Sequence, residues 1–279
     1  MIVCVRMVDP TEILNDPLAL HQAGVDDRRR AIDALVAQLG DAWLADQPAL
    51  DEDSLPLVHR PTGLTFVAVP GGEFEMGLSD EDIEEASEHV DWTSPVARWI
   101  DNAAASARPV HRVNVRPFLC ARALLDSARI HASADRPLDG ESVQRSDALA
   151  VARALGFRLP SEAELEWLSR DGGAYRFTLD AARQFGAVDG DDRLLRSRFG
   201  VRDLHRSQWA EDDWHPTYDG APATSLPWGD GDPRGVYRGG FHLISLQSRE
   251  ELLHALAAVR GRIYRACCVR LAASIPVEG

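Results

Sequence analysis

The sequence predicts an α+β fold in which a few helices and short strands are joined by much irregular loop. Apolar residues recur at helical spacing over residues 26–46, with Leu39 and Trp43 on the apolar face, which predicts an amphipathic helix. Two apolar runs within residues 64–77, separated by a Pro-Gly-Gly turn, predict short strands. The long segment that ends at Gly235 is rich in Gly, Asp, Pro and Trp, which is typical of irregular structure.

The bulk composition is that of a globular protein, and it excludes several classes of function. The chain has 279 residues, of which 45% are hydrophobic and 27% are charged, so it forms one large domain or two small ones. Its formal net charge of −14 argues against nucleic acid and anionic membranes as partners, since both attract clustered positive charge. The sequence contains no lysine, which excludes mechanisms that depend on a phosphate-binding or Schiff-base lysine.

Hydrophobic runs and cysteines together predict a cytoplasmic protein. No run reaches the roughly 18 consecutive apolar residues of a membrane span, and residues 1–9 lack the basic start of a signal peptide. Cys4 and Cys120 are isolated, whereas Cys267 and Cys268 are neighbours, which point to opposite faces in a strand. We therefore expect reduced thiols in the cytoplasm.

The N-terminal residues 1–60 are predicted to be a helical appendage with an acidic linker, followed by one main domain over residues 61–279. The linker is placed at residues 47–60, which are acidic and contain proline. The apolar face with Leu39 and Trp43 could contact the main domain or a partner protein. We favour the main domain, because these side chains would be a liability in water.

The later elements are short. An acidic stretch over residues 78–101 is predicted as a solvated loop, with a cation site or a site for a basic partner as the alternative. A helix over residues 248–258 presents Leu252 and Leu256 on one face, and these are further candidate contacts for a partner. The remaining predicted elements are strands over residues 110–119, 236–241 and 265–272 and a helix over residues 146–155, with Ser146 as its possible N-cap.

The most distinctive local pattern lies between Gly156 and Gly173. Ser161 and Glu164 have the spacing of a capping box, in which each side chain accepts a hydrogen bond from the backbone N–H of the other residue. Pro160 precedes the cap, and the double glycine that closes the pattern is expected to end the helix. The pattern therefore predicts a short and firmly capped helix.

The same stretch closely resembles the RLPTEAEWE segment of the formylglycine-generating enzyme family, also called sulfatase-modifying factors. Other motifs of that family follow in its order: an opening hairpin, a P-x-H-x-V strand, an FGLYDMHG-like segment, an RGG strand and a closing FR-x-A strand, at residues 66–77, 109–113, 199–205, 237–240 and 269–272. The resemblance covers roughly residues 64–273. It implies the family's C-type-lectin-like fold, with short antiparallel sheets, few helices and much irregular loop.

The resemblance also identifies what this chain has lost. In the family's enzymes a pair of cysteines binds copper(I) and activates oxygen, and thiolates are soft ligands that suit this metal. By the resemblance, the positions of the cysteine pair are held here by Ile244 and Arg249, and neither side chain can replace a thiolate. Cys267 and Cys268 fall in the last predicted strand and are interpreted as small hydrophobic residues. The resemblance therefore implies a divergent member that lacks the catalytic pair.

A calcium-binding loop of the family resembles residues 206–211, and it too is altered. Ser207 and Ala210 replace the amide and carboxylate ligands of that loop, although calcium prefers such oxygen ligands. Glu211, Asp212 and Asp213 follow directly and are the candidate metal ligands, but the replacements disfavour calcium. No cofactor is predicted with certainty.

Two further metal sites, an iron centre and a loose group of His and Asp residues, are disfavoured. The iron-dependent branch of the family is disfavoured, since a non-haem iron centre needs three protein ligands and residues 1–60 contain only His21 and His59. A looser group has no fixed spacing and is interpreted as polar side chains at the surface together with one or two hydrogen-bonded core histidines; it consists of His205, Asp212, Asp213, His215 and His242.

Two classes of function follow. The first is a pseudoenzyme that binds another protein in a multi-component bacterial system, because a lectin-like frame with variable loops is suited to binding. The alternative is an enzyme with altered, metal-dependent chemistry in the same pocket. Glycan binding is weaker, as the calcium-linked sugar motifs of lectins are absent from residues 216–235. The sequence leaves the oligomeric state open.

Overall fold

The computed structural model describes residues 9–47, 54–88, 105–134, 143–176, 197–204, 206–239, 260–261 and 268–276. These residues form short helices and short antiparallel sheets joined by irregular segments, which confirms the predicted α+β fold. The helices are α1 (Pro10–Asn15), α2 (Pro17–Gln22), α3 (Val25–Leu39), α4 (Asp80–Glu88), α5 (Ser127–Ser133), α6 (Arg145–Ala154) and α7 (Glu162–Ser169). The strands are β1 (Trp43–Ala45), β2 (Leu55–His59), β3 (Leu64–Val69), β4 (Gly72–Met76), β5 (His111–Val115), β6 (Phe118–Ala121), β7 (Gln208–Trp209), β8 (Tyr237–Arg238), β9 (Arg260–Gly261) and β10 (Ala272–Ser274).

The three N-terminal helices have strong local signals at their ends. The carboxylates of Asp9 and Asp16 accept backbone N–H bonds at 2.8 Å and cap α1 and α2, each of which begins with proline. Gly40 ends α3 with a φ of 83°, a backbone conformation that glycine adopts readily. The predicted helix over residues 26–46 therefore stops early, and its last part forms β1 instead.

The N-terminal helices pack on the rest of the protein. Ile13, Leu20 and Ile32 are fully buried and belong to the same apolar cluster as the strands of the main sheet. Trp43 is also buried, and its ring centroid lies 5.2 Å from that of Phe66 and 6.2 Å from that of Phe157. The favoured prediction, contact in cis, is confirmed for these residues.

The main sheet contains five strands in the order β1-β2-β3-β6-β10, and all neighbours are antiparallel. The predicted linker over residues 47–60 is wrong in its second half, because Leu55–His59 pairs with β3 along its whole length. Acidic and proline residues around this strand conceal it in the sequence. Removing residues 1–60 would therefore delete two strands of the sheet.

Two smaller sheets complete the described strands. β4 pairs with β5, and β8 lies between β7 and β9. Both strands predicted within residues 64–77 exist, but they do not form a hairpin with each other. β3 joins the main sheet and β4 joins β5, so the Pro-Gly-Gly turn carries the chain between two sheets.

Several element bounds differ from the prediction. The acidic stretch begins with α4. The N-cap position of α6 is Gln144 instead of Ser146, and the Gln144 side chain makes no capping hydrogen bond. The closing strand is β10, which starts at the last residue of the predicted strand. No helix in the described ranges is both long and apolar enough to cross a membrane.

Candidate functional site

Helix α7 positions the densest group of buried charges in the described structure. The capping box is present in both directions: Glu164 N–H donates to Ser161 Oγ at 3.1 Å, and Ser161 N–H donates to Glu164 Oε2 at 2.9 Å. The fixed start of the helix places Glu162 and Glu166 one turn apart on one buried face. We call the group formed by Glu162, Glu166, Arg170, Tyr218, Arg238 and Arg260 the α7 ion-pair network.

Glu162 is the centre of the α7 ion-pair network. Its Oε1 accepts hydrogen bonds from the Tyr218 hydroxyl at 2.7 Å and from Arg260 Nε at 2.6 Å, and its Oε2 accepts from Arg260 Nη2 at 3.0 Å. Nη1 of Arg238 lies 3.2 Å from Oε1 of Glu162. Burial alone would raise the pKa of Glu162, but the guanidinium groups of Arg260 and Arg238 lower it to about 2. The carboxylate is therefore ionised and fully engaged.

Glu166 extends the network by one helical turn. Its carboxylate accepts from the Gly77 backbone N–H at 2.8 Å and lies 3.0 Å from Arg170 and 2.7 Å from Arg238. Arg170 also donates to the carbonyl oxygens of Glu75 and Gly77. The network thus connects α7 to the end of β4 and to β8.

Arg260 is held on every side. Its guanidinium carbon lies 4.4 Å from the Trp214 ring centroid and 4.5 Å from that of Tyr218. Its Nη1 donates to the carbonyl oxygens of Ser106 and His215. Because Arg238 and Arg260 are paired across β8 and β9, the chain leaves at Gly239 and returns at Arg260 beside this network.

Asp212 lies next to the network and is chemically different from it. Its Oδ2 accepts from the Glu162 backbone N–H at 2.7 Å, and its Oδ1 accepts from the Trp228 N–H at 3.0 Å. Burial, together with the nearby carboxylate of Glu162, raises the pKa of Asp212 to about 7. Asp212 therefore joins the start of α7 to the Trp228 loop through a carboxylate that titrates near neutral pH.

The three candidate metal ligands do not converge. Asp212 faces α7, Asp213 lies 3.1 Å from the guanidinium group of Arg145, and burial raises the pKa of Glu211. Arg145 also donates to the carbonyl oxygens of Ala210 and Glu211. Within the described ranges, no three His, Cys, Asp or Glu side chains are grouped so that they could hold a metal ion. The residues at this loop do not fit the calcium site of the family.

The described cysteines are unsuited to metal binding or nucleophilic chemistry. Cys120 is fully buried in β6, and burial raises the pKa of its thiol to about 12. Burial also raises the pKa of Cys268. Cys4 and Cys267 lie outside the described residues.

The remaining predicted residues divide into two groups. Trp43 is in the core, Leu39 is half-buried against it, Trp209 is buried as expected, and His215 stacks on Trp228 at 3.5 Å between ring centroids. A buried Trp43 cannot contact a partner while α3 stays in place. The other predicted residues lie outside the described ranges: His205, His242, Ile244, Arg249, Leu252 and Leu256.

Sequence reasoning missed the buried arginines. Arg238 and Arg270 fall inside the motifs at residues 237–240 and 269–272, so their recurrence in a family pattern was the available signal. Arg145 and Arg260 have no local signal, since charged residues are ordinarily exposed.

Comparison with known proteins agrees with the fold. Residues 55–267 match the family described as the Sulfatase-modifying factor enzyme 1-like domain. Because the match spans most of the chain, the protein belongs to this family. The solved structure of PvdO from Pseudomonas aeruginosa is similar with a TM-score of 0.51 and 21% identity, covering 76% of this chain and 95% of that chain. Treponema denticola variable protein 1 has a TM-score of 0.48 and 15% identity, with coverage of 76% and 95%. No curated protein matches the chain.

Proposed function

We propose that this chain is a non-catalytic member of the sulfatase-modifying factor family that binds another protein, in a multi-component system of the bacterial cytoplasm. The observation that carries the proposal is the internal pairing of the charged groups in the α7 ion-pair network. Every charged group of that network has an internal partner within 3.2 Å. Such a site fixes distant segments of the fold relative to one another and leaves no free nucleophile or base for a substrate.

Titration behaviour supports the same interpretation. A general base works best when its pKa lies near the operating pH. The pKa of Glu162 is about 2, and burial raises the pKa of Tyr218 well above its usual value. Neither group changes its protonation state near neutral pH, so neither is suited to proton transfer.

The cysteines give independent support. The family's copper chemistry needs two thiolates, and the sequence resemblance assigns their positions to Ile244 and Arg249. Cys120 is locked in the core with a pKa of about 12. Copper-dependent oxidation of a thiol substrate is therefore the least supported activity.

A binding role would use the segment between β8 and β9. The described chain resumes at Arg260, whose guanidinium group lies over the half-buried Trp214 ring. The sequence predicts Leu252 and Leu256 on one face of a helix within that segment. An apolar helix face is suited to a protein partner, so this predicted face is the candidate contact.

The test is purification of the tagged full-length chain from its native host, with quantification of any stoichiometric partner. The Leu252→Asp/Leu256→Asp protein should lose the partner, whereas Leu18→Asp, a control at a 59% exposed leucine, should keep it. A partner retained equally by both variants would exclude this surface. Absence of any stoichiometric partner, together with substrate turnover, would overturn the proposed function.

An enzyme with altered chemistry is the second candidate, and one observation favours it. Asp212 has a pKa of about 7, which is suited to acid–base work. However, Asp212 is only 5% exposed, and both of its oxygens accept backbone hydrogen bonds. Elemental analysis of the purified protein separates the candidates, since one metal ion per chain would support the enzyme.

A further inference from the structure

Arg145, the first residue of α6, inserts its side chain into the loop that contains the candidate metal ligands. Its Nε donates to the Ala210 carbonyl oxygen at 3.3 Å, and its Nη2 donates to that of Glu211. Its Nη1 donates to the Pro233 carbonyl oxygen at 2.9 Å and lies 3.1 Å from Asp213 Oδ1. One guanidinium group thus joins three carbonyl oxygens and one carboxylate.

These four oxygens are a ligand set of a particular chemical kind. Backbone carbonyl and carboxylate oxygens are the hard ligands that calcium takes in proteins. Here they face a cation that belongs to the chain, the guanidinium group of Arg145. The guanidinium group supplies positive charge and several directed hydrogen bonds at once, so it can both neutralise and cross-link the loop.

The surroundings of Arg145 are built to accept it. The residue is only 9% exposed, and Gly235 lies so close that a Cβ atom at that position would be 1.8 Å from Arg145 Cδ. Gly235 has a φ of 78°, which also favours glycine. The close approach requires the absence of a side chain at residue 235.

The altered residues of the same loop fit this arrangement. Ser207 and Ala210 occupy the positions that the family resemblance assigns to calcium ligands, and both are fully buried. Ser207 Oγ has no hydrogen-bond partner in the described part of the chain. Asp212, the carboxylate between Glu211 and Asp213, is engaged by the backbone of α7 and the Trp228 loop.

We propose that Arg145 is a built-in cation that replaces calcium in the loop formed by residues 210–213 and anchors that loop to α6 and Pro233. The loop then holds its shape without a divalent ion. This inference is independent of whether the chain is catalytic, because it concerns what stabilises the loop.

The first test measures the thermal unfolding midpoint of the wild-type protein in EDTA and in millimolar calcium chloride, with calcium content determined by elemental analysis. The midpoint should be the same in both solutions, with no stoichiometric calcium. A calcium-dependent rise of several degrees, or one bound calcium per chain, would overturn the proposal.

The second test removes the cation from the protein. Arg145→Met should lower the unfolding midpoint by about 10 °C, since it leaves the half-buried Asp213 carboxylate and three carbonyl oxygens without their donor. Arg153→Met is the matched control, because Arg153 is exposed on the same helix, and its midpoint should stay within about 2 °C of wild type. Equal midpoints for the two variants would contradict the proposal.

A glycine pair keeps the test informative if Arg145→Met does not fold. Gly235→Ala should expel the Arg145 side chain, whereas Gly220→Ala has a nearly identical φ of 79° but nothing within 4 Å of the added Cβ. The two variants therefore share the same unfavourable φ and differ only in the contact between the added Cβ and the Arg145 side chain. Gly235→Ala should unfold at a clearly lower temperature than Gly220→Ala, and equal stability would count against an anchoring role.

Discussion

The carboxylate of Glu162 accepts hydrogen bonds from two nitrogens of Arg260, at 2.6 Å and 3.0 Å, and both side chains are almost completely removed from solvent. The pair joins the first turn of α7 to β9, which is distant in the sequence. A buried ion pair contributes little net stability compared with apolar packing, but the loss of one partner leaves an uncompensated buried charge. The pair is therefore a sensitive point of the fold.

Substitution of Glu162 should destabilise the protein strongly. Glu162→Gln removes the charge that compensates Arg260 and Arg238, and we expect a loss of about 3–5 kcal/mol in the free energy of unfolding. Urea denaturation at neutral pH measures this value. Glu81→Gln, at an exposed position on α4, should change it by less than about 0.5 kcal/mol. A similar effect of both substitutions would show that the network is not structural.

Acid should weaken the wild-type protein through the same residue. The pKa of Glu162 is lowered to about 2 from an ordinary value of 4.5, so its contribution is complete above pH 4.5 and is lost as the pH falls towards 2. Urea denaturation at pH 5 and at pH 3 should show a loss that the Glu162→Gln protein lacks. An equal loss in the two proteins would assign the acid sensitivity to other groups.

Asp212 should make the protein less stable as the pH rises, which is the opposite of the effect of Glu162. Its pKa is raised to about 7 from 3.8, so the folded state favours the protonated form. The stability that Asp212 contributes is complete below pH 3.8 and declines as the pH rises through 7. Relative to Asp212→Asn, the wild-type protein should lose roughly 2–4 kcal/mol between pH 5 and pH 8 in urea denaturation. Parallel stability curves for the two proteins would contradict this assignment.

Trp43 should be essential for stability although it lies before the family domain. Its ring packs on Phe66 and Phe157, so Trp43→Ala should cost about 3–5 kcal/mol. The neighbouring Leu44 is 42% exposed, and Leu44→Ala should cost less than about 1 kcal/mol. Denaturant unfolding of both variants compares the two sides of β1. A small effect of Trp43→Ala would show that the N-terminal helices are not part of the cooperative fold.

The sequence predicted those features that depend on local chemistry. The capping box of Ser161 and Glu164 requires only residues three positions apart, and it is present as expected. The burial of Trp209 and the order of the family motifs were also predictable, since large aromatic residues and ordered motifs survive divergence.

Features that depend on distant partners were not predictable. β2 lies in an acidic, proline-containing stretch, and only its pairing with β3 makes it a strand. The strands on either side of the Pro-Gly-Gly turn join different sheets, because β3 pairs with β6 and β4 pairs with β5 instead of with each other. The buried arginines depend on carbonyl and carboxylate groups up to 154 positions away, as for Arg260 and Ser106. Local patterns contain no information on such pairs.

The account rests on the proposed loss of the copper-binding thiolate pair, and copper binding tests it most directly. Purified full-length protein should be titrated with copper(I) under anaerobic conditions against a chelator, and then exposed to oxygen with a peptide that contains a cysteine. We predict that the chelator keeps the copper and that the peptide thiol is unchanged by mass spectrometry. One tightly held copper(I) ion per chain, together with oxidation of the peptide cysteine, would contradict the proposal of a non-catalytic binding protein.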